Sequence, residues 1–309
     1  MVLVADEWQR TDGPAHSLLS QVVSEIPIVL VSRVENFEFN LSLNELDKYI
    51  LIDFVELGWQ WNQKVGHLWG VNTSYFEDVF PGDEWKKFDE FVANKPPLLT
   101  FQRELLKKDA KPDLLPIEYP CWQPKYHVQS EDEFNKRQLE LFFYWGFSHP
   151  CRKRFQGEAN LHSLKEDITI IDNIFYYQNF LQENHRHYWG CMHIPHFARL
   201  PINQILEING NSKLSLSLPG AGVKCFRSTG ESPVNSVMVM QEDELAWSYP
   251  WVHNENCIRS IVGREIDAIH NNLQRQDLYE IYLNGMENCD KYRLHNYIPN
   301  YIQKHINEL

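Results

Sequence analysis

Short continuous runs of apolar residues recur along the chain, set apart by polar stretches of helical or turn character. In the first half they fall at residues 2–5, 26–31 (IPIVLV), 49–55 (YILIDFV), 97–101 (PLLTF) and 115–119 (LPIEY). Runs that are apolar on both sides of the pleat predict strands covered on two faces, and strands separated by crossovers predict a parallel sheet. Thr11-Asp12-Gly13-Pro14 predicts a turn, and residues 15–24 a helix, between the first two strands. The second half starts again with a strand at 139–146 (LELFFYWG), a helix over 151–164, a β-rich run at 168–171 and a strand at 237–240. Leu214, Leu216 and Leu218 alternate with Ser215 and Ser217, the period of a strand buried on one face. From about residue 258 to the end the pattern is mostly helical, with Gly285 and Pro299 expected as interruptions. Between 107 and 138 it weakens into prolines (Pro112, Pro116, Pro120, Pro124) and the charged run SEDEFNKRQ, the composition of an interdomain connection. The expected division is therefore 1–138 and 139–309, two α/β domains, with the last helix returning to pack on the first.

The length of 309 residues, 43% of them hydrophobic, is enough for two cores. A net charge of -13 argues against a duplex nucleic-acid partner, which needs a clustered basic surface. The one dense basic cluster, Arg152-Lys153-Arg154, suits a small phosphate ligand better. Six cysteines, at 121, 151, 191, 225, 257 and 289, form no CxxC pair and read as buried free thiols. No stretch approaches the roughly 20 apolar residues that span a bilayer. The opening MVLVADEWQRTDGP does not read as a signal peptide. The expected location is cytoplasmic, or peripheral to a membrane.

The densest chemistry lies at 213–239, KLSLSLPGAGVKCFRSTGESPVNSVMV. A strand ends at Gly220 and Gly222, which let backbone approach a ligand closely. Arg227 and Glu231 follow four residues apart, on one face of a helix. A guanidinium suits a diphosphate, and a carboxylate suits the hydroxyls of a ribose. The bland alternative is an intrahelical ion pair on a solvated face.

The segment resembles the donor-binding motif of GT-B glycosyltransferases, exostosin-like families in particular: strand, glycine pair, arginine and glutamate opening a helix, second strand. WVHNENCI at 251–258 and LYEIYLNGMENCDKY at 278–292 resemble the family's downstream loop and closing helices, so the likeness covers about 139–292. Ser236, where many relatives carry glycine, and the extra Gly230 depart from the pattern. The resemblance implies two Rossmann-like domains facing a cleft, an acceptor side in 1–138 and a nucleotide-sugar donor site in 139–309. The implied reaction is hexosyl or pentosyl transfer from a nucleotide sugar, as co-substrate, to a glycan, a lipid-linked molecule or another hydroxyl acceptor. It implies no metal and no other cofactor, and the chain has no Asp-x-Asp motif. It further implies donor contacts from Ser148 and Arg152 in FYWGFSHPCRKRF, from Arg199, and from Lys224, Arg227, Glu231 and Asn256.

A base for the acceptor hydroxyl is expected at the carboxyl end of a strand, which points to Glu56 after YILIDFV and to Asp12 at the first turn. Asp53, inside that strand, reads as structural, and Trp59, Trp61 and Trp69 are candidates for an acceptor groove. Two rival readings remain. His185, His187, His193 and His196 have spacings that bind transition metals, which would make a metalloenzyme. The same fold could also bind a nucleotide or carbohydrate without catalysis.

Overall fold

The structure, a computed structural model, describes residues 2–4, 29–33, 48–53, 87, 90–119, 121, 127–137, 139–145, 152, 154–155, 168–170, 188–193, 202–219, 224, 228–229 and 235–309. The chain divides into two α/β, Rossmann-like units, each built on a parallel sheet. The first comprises Met1–Pro120, Glu244–Pro250 and Tyr292–Leu309, and the second Cys121–Asp243 and Trp251–Lys291. The division thus falls after Pro120, where the weakening pattern had placed it at 138, and the C-terminal segment belongs with the first unit.

Five strands make the first sheet: β1 (Val2–Val4), β2 (Val29–Arg33), β3 (Tyr49–Asp53), β4 (Leu99–Gln102) and β5 (Leu114–Pro116). They lie side by side in chain order, every pair parallel. Each lies on or beside a predicted apolar run. β3 is buried along its whole length, Asp53 included, as a strand covered on both faces should be. Residues 244–250 join this unit by backbone bonds, Ala246 N donating to Leu105 O at 2.8 Å. The tail, helical over Leu294–Tyr297, Ile298–Gln303 and Lys304–Asn307, is tied down by tyrosines. Tyr297 Oη donates to buried Glu118 Oε2 at 2.9 Å, Tyr301 Oη to Pro116 O at 2.9 Å, and the two rings stack. Burial, and then the charge of Glu118, push the Tyr297 hydroxyl well above its ordinary range. Glu118, at the exit of β5, also accepts from Ser248 N at 3.2 Å, so this carboxylate serves packing.

The second unit opens with α1 (Glu131–Asn135), inside the segment that had read as a connector. Ser130 caps it, its hydroxyl accepting from Glu133 N while Glu133 bonds back, and Phe134 enters the core. Then come β6 (Leu139–Trp145), β7 (Ile168–Ile170), β8 (Tyr188–His193), α2 (Ile202–Gly210), β9 (Ser212–Ser217), β10 (Val237–Gln241), β11 (Ile258–Ser260), α3 (Glu265–Leu273) and α4 (Leu278–Lys291). The sheet order is β11-β10-β9-β6-β8-β7, all parallel. Leu141, Phe143, Leu214, Leu216, Val237 and Val239 pack with Ile269 of α3 and Ile281 and Tyr282 of α4 in one core.

Three expectations are corrected here. β9 is not half-buried, because Ser215 and Ser217 are covered as well as the leucines between them. Gly285 does not interrupt α4; a Cβ there would stand 2.8 Å from Asn256 O, so glycine admits the close approach of that loop. Residues 188–193, read only as a histidine-rich stretch, form β8, a strand inside the sheet. Among the described residues no helix is long and apolar enough to cross a membrane.

Candidate functional site

In the second unit the chain leaves β6 for β7 and β8 on one side of it, then returns to β9, β10 and β11 on the other. β6 and β9 are therefore neighbours whose following segments depart in opposite directions. Such a switch point leaves a crevice beyond the carboxyl ends of the two strands, where ligands of open parallel sheets sit.

Two cations are buried in the segments that leave it. Arg152, helical and 2% exposed, follows β6, and its Nη2 donates to Leu218 O, just past the end of β9, at 3.3 Å. Its turn is anchored by Phe155, whose ring meets Phe143 of β6 edge-on at 5.3 Å. Lys224, 1% exposed, follows β9, and buried Ser228 and Thr229 come next. The Thr229 hydroxyl makes no hydrogen bond among the described residues, while its carbonyl accepts from the Cys289 thiol at 3.3 Å. Long cationic side chains are rarely fully buried without a purpose, structural or chemical. One of them on each segment that leaves a switch point, with two hydroxyl-bearing residues on the segment after β9, makes a setting suited to an anion.

Beside this edge stands a carboxylate that sequence reasoning missed. Glu265, fully buried at the first position of α3, accepts from Gln241 Nε2 at 2.5 Å, from Gly263 N at 3.1 Å and from Arg154 Nη2 at 3.0 Å. Gln241 is the last residue of β10, and Arg154 stands two residues beyond Arg152. The only sequence signal was an acidic residue in a helix's first turn, which marks countless surface helices.

Of the expected donor residues, Arg152 and Lys224 thus lie on the two segments that leave the switch point. Asn256 closes its own loop: its Oδ1 accepts from Val252 N at 2.7 Å, and its carbonyl faces Gly285. Ser148, Arg199, Gly220, Gly222, Arg227 and Glu231 lie outside the described residues, as do Asp12 and Glu56. So do His185, His187 and His196, and of His193 only the backbone, in β8, is described. Among the described residues no three His, Cys, Asp or Glu side chains gather as a metal site. Cys121, Cys257 and Cys289 are buried thiols in no disulfide, and burial pushes the Cys257 thiol up to about 12.

No family model matches the chain. No curated protein matches it. Among solved structures it is similar to TarM, at 11% identity and a TM-score of 0.47, over 91% of this chain and 54% of that one. It is similar to the GtfA/B complex at 8% identity and 0.49, over 91% and 57%. It is also similar to Anabaena Alr3699/HepE in complex with UDP and glucose, at 12% and 0.47, over 100% and 99%. The chain spans little more than half the length of the first two. None of these three likenesses reaches a TM-score of 0.5, and none transfers a substrate or a residue role.

Proposed function

We propose that this protein is a glycosyltransferase whose second unit binds a nucleotide-sugar donor, with the diphosphate at the β6/β9 switch point. The observation that carries the reading is Arg152: a buried guanidinium reaching from the segment after β6 to the carbonyl after β9. Arg152 and Lys224 would neutralise the charge that develops on the departing nucleoside diphosphate, aided by hydroxyl donors from Ser228 and Thr229. The resemblance at 213–239 supports Arg227 as a further diphosphate contact and Glu231 as the ribose ligand. Ser148, Arg199, Gly220, Gly222 and Asn256 complete the proposed donor set. Glu56 or Asp12 is assigned as the base that takes the acceptor hydroxyl's proton, the acceptor being a glycan or other hydroxyl compound. The proposed chemistry calls on side-chain cations for the leaving group.

A thermal-shift screen of the whole chain against UDP, GDP, CMP and dTDP and their sugars tests this. A ligand at 100 times its Kd adds about 2.7 kcal/mol of stability. One nucleotide should raise Tm, its sugar conjugate should be slowly hydrolysed without acceptor, and Glu231→Ala should abolish the shift. A folded wild type that responds to none of them, or Glu231→Ala with unchanged affinity, defeats the reading.

A further inference from the structure

We propose that Glu265 is a positioning residue for the diphosphate site, acting through Arg154 on the turn that carries Arg152. This rests on the donor-site reading given above and adds to it a residue that touches no substrate. Glu265 joins three elements with one carboxylate oxygen: the end of β10 through Gln241, the bend before α3 through Gly263, and the turn after β6 through Arg154. Gly263 sits at φ +84°, a left-handed bend that favours glycine and turns its N–H toward that oxygen. A Cβ on Gly263 would lie 4.0 Å from the Arg154 guanidinium carbon, so the bend and the arginine are packed against each other.

The burial is uneven in an informative way. The Glu265 side chain is 0% exposed and that of Arg154 36% exposed. A half-exposed arginine left to itself samples many rotamers, and an exposed pair contributes little. Here one partner is immobile, fixed by its own bonds to β10 and to the backbone before α3. The arginine is held to the sheet edge, and the turn it belongs to is held with it. Phe155 anchors the same turn from the core side, against Phe143. Arg152 comes just before these two anchors in the chain, so its approach to Leu218 O depends on how they hold the turn. Partners of this kind orient a binding group without touching the ligand, and losing one typically weakens binding about tenfold.

The test uses the full chain with UDP, GDP, CMP and dTDP titrated into wild type, Glu265→Gln, Arg154→Gln, the double variant and Arg152→Ala. Glu265→Gln keeps an acceptor for Gln241 and Gly263 but removes the charge that holds Arg154. Each single change at 265 and 154 should weaken the preferred nucleotide about tenfold, and the double variant should be no weaker than either single. Circular dichroism and Tm restrict the comparison to folded protein, so a merely structural role would lower Tm and leave Kd unchanged. Unchanged Kd in Glu265→Gln, or losses that add in the double variant, overturns the proposal. Should Glu265→Gln fail to fold, Arg154→Gln alone decides, and an unchanged Kd there overturns it equally. Binding lost in Arg152→Ala but kept in the other variants removes the role of Glu265 and spares the donor site. Absence of nucleotide binding in the wild type removes both.

Discussion

Arg137 and Arg152 are both buried in the second unit, at opposite ends of the same sheet, and they are held in different ways. Arg137 stands at the amino ends of β6, β9 and β10, where its Nη1 donates to Ser212 O at 2.6 Å and Asn235 O at 2.7 Å. Its Nε donates to Gln129 Oε1 at 2.9 Å, and its guanidinium lies over the rings of Phe134 and Tyr282. Burial lowers it to about 10, which leaves it cationic at neutral pH. Carbonyls and aromatic faces hold this cation, and it pins three strands together. Arg152 stands at the carboxyl ends, where the segments after β6 and β9 part, and it spans that parting. Residue type and burial are the same in both. Position on the topology separates a fastening from the proposed binding group.

The largest effect should come from removing the fastening. Arg137→Met leaves the carbonyls of Ser212 and Asn235 without a donor, and should lower stability by about 3 kcal/mol in urea unfolding, since breaking a buried polar network is costly. Nucleotide affinity of the folded fraction should stay within about twofold. Arg152→Ala should show the reverse emphasis, with nucleotide binding weakened by about 2 kcal/mol in calorimetry, roughly thirtyfold, as for the loss of a charge-assisted donor. If the two variants gave the same ratio of stability loss to affinity loss, the distinction between the ends of the sheet would disappear.

A third variant tests the loop of Asn256, a proposed donor residue, without touching either arginine. Gly285→Ala drives a methyl group to within 2.8 Å of Asn256 O, a backbone atom, and should lower stability by about 2 kcal/mol through overpacking. Because the displaced carbonyl belongs to Asn256, nucleotide affinity should fall severalfold alongside. The smallest effect belongs to the amino end. Ser130→Ala removes the cap of α1, which places Phe134 beneath Arg137, and should cost about 1 kcal/mol by chemical denaturation. The bonds from Ser130 hold the Glu133 carboxyl below its ordinary 4.5. A depressed carboxylate contributes above that value and its contribution fades as the pH falls through the folded value. The gap between wild type and Ser130→Ala should therefore narrow in acid and be widest near neutrality.

The sheets were largely legible in the residues. IPIVLV, YILIDFV, PLLTF and LELFFYWG announce buried parallel strands because an apolar run on both faces of a pleat has few other stable environments. Arg152 and Lys224 were legible as candidates, by charge beside a strand exit. Missed were β8, whose Tyr188–His193 carries histidine and glycine in place of a β-branched run, and α1, whose charged surface hid a single buried Phe134. Glu265 was beyond reach, since its three donors come from residues 154, 241 and 263, which only folding brings together.

By itself the sequence determined most of the segments that must be strands, because burial on two faces leaves its mark residue by residue. The tertiary structure alone decided the order of those strands, and with it which exits are neighbours. Chain order does not encode that adjacency locally: β6 and β9 lie more than sixty residues apart and meet because β7 and β8 are laid down on the far side of β6. A buried charge acquires its meaning from that placement, since the same guanidinium pins three strands at one edge of the sheet and joins the segments that leave β6 and β9 at the other.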